Sequence, residues 1–80
     1  MKLFLTGLPD EVNLDALKVR LSEFGPVRDI HVLKEGMGAD PIWVVEMNVD
    51  PGTATRIALK IDHIWFEGKF IHARVPPQQD

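Results

Sequence analysis

A chain of 80 residues, 45% of them apolar and 26% charged, makes one domain around a single core and leaves no room for a second. No apolar run approaches the ~18 residues that a bilayer span needs, so the expectation is a soluble, cytoplasmic protein with no membrane partner. Nine Lys and Arg against twelve Asp and Glu leave a formal charge of −3, which argues against strong electrostatic binding of polyanions, and the absence of cysteine excludes disulfides, thiol nucleophiles and cysteine-ligated metals.

Lys2-Leu3-Phe4-Leu5-Thr6 alternates and is closed by Gly7-Leu8-Pro9, the pattern of a strand with Leu3 and Leu5 on one face and Lys2, Phe4 and Thr6 on the other. From Asn13, a good N-cap, the period becomes helical through Leu14, Leu17, Leu21 and Phe24 and stops at Gly25-Pro26. Val27 to Leu33 reads as a second strand with Ile30 and Val32 inward and Asp29, His31 and Leu33 outward, followed by a mobile loop from Glu35 to Asp40. Pro41 opens a third strand over Ile42 to Met47. Asp50-Pro51 starts a second helix with Ala54, Ile57, Ala58 and Ile61 on its apolar stripe. Ile64-Trp65-Phe66, the turn Glu67-Gly68 and Lys69 to Val75 form a hairpin whose long arm is the fourth strand. Residues 1–76 make the domain and 77–80 a solvated tail.

The order strand, helix, strand, strand, helix, strand implies an α+β ferredoxin-like sandwich, a four-stranded antiparallel sheet with two helices on one face. Two chemistries known on this architecture lack their residues here. A phosphate-holding first loop needs an arginine where Asp10 and Glu11 stand, and a metal carrier needs a CxxC pair.

Leu3-Phe4-Leu5-Thr6-Gly7-Leu8 resembles the aliphatic-aromatic-aliphatic-x-Asn-Leu first strand of the RNA recognition motif family, with Gly7 in place of Asn. Phe24-Gly25-Pro26-Val27 is similar to that family's join between first helix and second strand, and Gly68 to Ala73 to its entry into the fourth. The resemblance spans residues 2 to 75, and a single domain of this kind resembles the stand-alone bacterial members. It implies strands ordered fourth, first, third, second. The family's third-strand octamer is the departure: Asp40 stands at its basic position, Ile42 and Val44 at its two exposed aromatic positions and Trp43 at its small buried one.

Alternation places Lys2, Phe4, Thr6, Asp29, His31, Leu33, Ile42, Val44, Glu46, Phe70, His72 and Arg74 on the open face, where two basic and two acidic groups cancel. That face is more apolar than solvation alone requires, so it implies a cover. The leading reading is single-stranded RNA, bound weakly and without catalysis. Phe4 and Phe70 stack bases, Lys2, His72 and Arg74 meet base edges or phosphates, and Thr6, His31, Ile42 and Val44 complete the contact. The alternatives are a protein partner or a second copy on the same surface, or a tail or loop of the chain itself. Trp43 packs in the core, or, after a slip of one residue, restores an aromatic to the open face. Trp65 is expected in hairpin packing and His63 as a capping or surface group. No cofactor and no metal site is expected, because His31 and His72 lie about 14 Å apart, three strand steps of ~4.8 Å.

Overall fold

The strand and helix periods are realised in a computed structural model that describes residues 1–9, 11–33 and 41–76. In chain order these form β1 (Lys2–Thr6), α1 (Leu14–Ser22), β2 (Val27–Leu33), β3 (Ile42–Met47), α2 (Pro51–Ile61), β4 (Ile64–Phe66) and β5 (Lys69–Arg74). Asp10, the expected mobile loop at Glu35 to Asp40 and the expected tail at 77–80 lie outside the described residues. No described helix is long and apolar enough to cross a membrane.

Every pairing is antiparallel and the strands run β2-β3-β1-β5-β4 across the sheet. The expectation of four strands is corrected to five, because Ile64 to Phe66 pairs with β5 as a strand of its own. The cause is the connecting turn. Glu67 and Gly68 both adopt positive φ, 48° and 87°, the combination whose twist matches that of two hairpin strands, so the ladder continues on both sides of it.

Leu3, Leu5, Val45, Met47 and Ile71 alternate onto one face of the sheet and bury themselves against Leu17 and Leu21 of α1 and Ile57, Ala58 and Ile61 of α2. Both helices therefore cover the same face. Burying one such aliphatic side chain contributes about 1.5–3 kcal/mol, and the cluster supplies the stability of a chain with no covalent staple. The expected stripe of α2 is buried in full. In α1, Leu14 departs from its stripe and remains 47% exposed, because the first turn overhangs edge strand β2 and lines a shallow depression with Val27 and Ile30.

Asn13 begins α1 with extended backbone, and its Oδ1 accepts the Ala16 amide N–H at 3.1 Å. That hydrogen bond satisfies one of the amides that a helix start leaves without a partner. Asn13→Ala is expected to cost about 1 kcal/mol, read as a lower urea midpoint with an unchanged denaturant slope. An unchanged midpoint would show that solvent caps this end equally well.

Trp43 faces Leu5 on β1 and Val32 on β2, both on the helix side, so it packs inward and the one-residue slip does not occur. Its ring is half-buried against the core, and its Nε1 is shielded from solvent with no hydrogen-bond partner among the described residues. An unsatisfied buried donor of this kind costs about 1–3 kcal/mol.

Candidate functional site

The sheet face away from the helices is assembled by cross-strand register. Phe4 lies opposite Val44 on one side and Arg74 on the other, Thr6 opposite His72, and Lys2 opposite Glu46. Farther out, His31 faces Val44 and Leu33 faces Ile42. Phe70 shares the parity of His72 and Arg74 and lies opposite Trp65. The nine singled-out positions Lys2, Phe4, Thr6, His31, Ile42, Val44, Phe70, His72 and Arg74 thus share one face, across β1, β2, β3 and β5.

Their exposure differs. Val44 has the expected side but only 2% of its surface is accessible, so its side chain offers almost nothing to a ligand. Position in the central strands explains this, since Phe4 and His31 flank it from both neighbours. Phe4 is half-buried, and the Arg74 guanidinium carbon stands 5.7 Å from the centre of its ring, within range of a cation–π contact.

Trp65 packs across the β4–β5 hairpin, as expected, but on its outer side. It is 58% exposed and meets Phe70, itself 57% exposed, edge to face with ring centres 4.8 Å apart. Because Ile64 and Phe66 turn toward the core, strand alternation sends Trp65 to the outer face. The signal lay in Ile64-Trp65-Phe66 itself, once that tripeptide is treated as a strand. No register shift occurs in this hairpin, so Phe70 keeps the parity of the rest of β5.

The electrostatics of the face are local and nearly neutral. His31 Nδ1 lies 3.1 Å from the Asp29 carboxylate, and Arg28 pairs with Glu46 at 3.9 Å. Both pairs are exposed, and pairs of this kind contribute at most about 1 kcal/mol.

At the end of the sheet near β4, His63 is the exposed surface group expected, and it stands in a cluster with Asp62 and His72. Its Nδ1 is 3.1 Å from Asp62 Oδ2, while His72 Nδ1 is 3.4 Å from Asp62 Oδ1. Asp62 Oδ1 also accepts the Ala73 amide N–H at 3.2 Å. That amide is the main cause holding the Asp62 carboxyl below the usual carboxylate range, helped by both histidines and opposed by desolvation. The two imidazoles stand perpendicular with centres 4.7 Å apart. His31 takes no part, because β3 and β1 separate its strand from β5.

No protein-family model and no curated protein matches the sequence. Among solved structures, the third RRM domain of Mip6 superposes with a TM-score of 0.79 at 11% identity, over 91% of this chain and 89% of that one. The RNA-binding protein PG1 superposes at 0.74 with 20% identity over 100% and 98% of the two chains. The Rna15 RRM with bound RNA (GU) gives 0.76 at 12% identity over 99% and 85%. The fold is that of an RNA recognition motif. The departure at Gly7 goes with this chain's own backbone at that point, where φ is +81° and an added Cβ would stand 2.8 Å from the Phe70 carbonyl oxygen. With the backbone as it stands here, an asparagine would collide with β5. The third-strand departure also stands in three dimensions. Ile42 and Val44 occupy the outer face of the RRM sheet without a π-system, and Trp43 faces inward.

Proposed function

We propose that this domain binds single-stranded RNA weakly through the open face of the sheet by aromatic stacking, as a binding module without catalysis. The observation that carries the reading is the row of π-systems on one surface: Phe4 with Arg74 over its ring, and the exposed Phe70–Trp65 pair beyond His72. A ring or guanidinium plane on a sheet is the surface on which unpaired bases stack, for about 1–3 kcal/mol per base. The solved Rna15 domain of the same fold carries bound RNA, which supports the class of ligand.

Weakness follows from the same residues. Aliphatic Ile42 and Val44 remove two stacking positions, and the cations Lys2 and Arg74 are balanced by Asp29 and Glu46. With about two phosphates neutralised, the logarithmic salt slope of a single-stranded complex is expected near −1.4. Fluorescence anisotropy across a salt series measures it, and a slope steeper than about −3 would require a basic surface that this face does not have.

The deciding experiment is an amide-resolved NMR titration with a degenerate pool of short single-stranded RNA at low salt. Shifts concentrated at Phe4, Val44, Phe70 and His72, extending to Trp65, are the expected result. Absence of shifts at millimolar RNA overturns the reading and gives the apolar face to a protein partner or a second copy.

A further inference from the structure

We propose that Asp62, His63 and His72 form a three-ligand site for a divalent transition-metal ion of the zinc type. Each of the three offers one ligand atom, and these atoms lie within 4.8 Å of one another. Two ligands at ~2.1 Å from a tetrahedral ion stand about 3.4 Å apart. His63 Nδ1 lies 3.1 Å from Asp62 Oδ2 and His72 Nδ1 3.4 Å from Asp62 Oδ1, separations of that length to the two different oxygens of one carboxylate. With Oδ1 held by the Ala73 amide, Oδ2 is the oxygen left for the ion, so the His72 ring has to turn toward it and toward His63, and both imidazoles are more than half exposed, which leaves them free to turn.

The backbone holds the three in place. Asp62 ends α2 with its amide donating to the Ala58 carbonyl at 2.9 Å, and its carboxylate is anchored by the Ala73 amide. His63 takes a left-handed conformation, φ 68°, fixed by its amide donating to the Ile71 carbonyl at 2.7 Å. That conformation is unfavourable for most residues with a side chain, and here it places His63 one step beyond Ile64 on the β4–β5 ladder, facing His72. Two imidazoles and one carboxylate suit zinc, cobalt, nickel or copper rather than magnesium or calcium, which favour all-oxygen shells. Three protein ligands leave the fourth position to water, and solvent reaches the cluster from the exposed histidines.

The site shares His72 with the proposed RNA face, so its test contains no RNA and its outcome does not depend on that reading. Untagged protein is titrated with zinc by calorimetry and with cobalt by visible absorption, whose intensity reports tetrahedral coordination. One ion per chain is expected. His63→Asn, which keeps a residue tolerant of left-handed backbone, and His72→Gln should each weaken binding by more than about tenfold. His31→Gln, a histidine on a distant strand, should leave it unchanged. Thermal melting of the metal-free variants separates loss of ligation from loss of fold. Absence of binding at millimolar zinc, one ion per two chains, or equal binding in the native protein and the folded His63→Asn and His72→Gln variants overturns the proposal.

Discussion

Gly7→Ala is expected to destabilise the domain by at least about 2 kcal/mol and to lower Tm by roughly 10 °C. Two causes act together. At φ +81° a side chain is strained wherever it points, and the added carbon would stand 2.8 Å from the Phe70 carbonyl oxygen, a backbone atom that cannot swing away. Relief requires β5 to move off β1, which carries His72 and Arg74 out of line with Thr6 and Phe4. Gly68 supplies the control. Its φ is +87°, yet nothing lies within 4 Å of an added Cβ, so Gly68→Ala reads the conformational cost alone, about 1 kcal/mol. Paired thermal melts of the two variants isolate the close approach. Equal losses would show that β1 and β5 separate without strain.

Phe4→Ala is expected to weaken binding of single-stranded RNA by about 5- to 150-fold, the equivalent of one lost stacking platform. Phe4 is the aromatic side chain on the central strand of the outer face, between Val44 and Arg74, so its removal also leaves the Arg74 guanidinium without the ring beneath it. Because Phe4 is half-buried, truncation to Ala loses packing as well. Phe4→Leu keeps an apolar branch beside Val44 while removing the π-face, and it should lose nearly as much affinity with a smaller change in Tm. RNA affinity retained in Phe4→Leu would place the contact elsewhere, with Trp65→Ala the next variant to measure. A Phe4→Ala protein that keeps its RNA affinity but changes from dimer to monomer would assign the face to a second copy of the chain.

Much of this architecture is legible in the residues because period is a local property. Alternation in Lys2 to Thr6 and in Ile42 to Met47, and the three-to-four spacing of Ala54, Ile57, Ala58 and Ile61, each follow from backbone geometry alone, and each side chain points where its period sends it. The side of the sheet was therefore readable for Phe4, His31, Phe70 and Arg74. Ile64-Trp65-Phe66 shows the limit of such reading. The turn Glu67-Gly68 marks it as the short arm of a hairpin, but three residues are too few for a period to show which of them faces outward, and pairing with β5 is what puts Trp65 on the outer face.

What the sequence by itself determined is the order of elements, the direction of nearly every strand side chain and a near-neutral, apolar open face, all properties set within a few residues of chain. Tertiary structure alone decided how much of each side chain remains accessible. Val44 and Phe70 share a face and differ from 2% to 57% exposed, because accessibility depends on neighbours contributed by other strands. It also decided why position 7 is glycine, since the carbonyl that excludes a side chain there belongs to Phe70, far along the chain. The Asp62–His63–His72 cluster has the same origin. A helix end, a left-handed residue and a hairpin arm bring His72 to the adjacent pair Asp62-His63, a meeting that no local spacing announces.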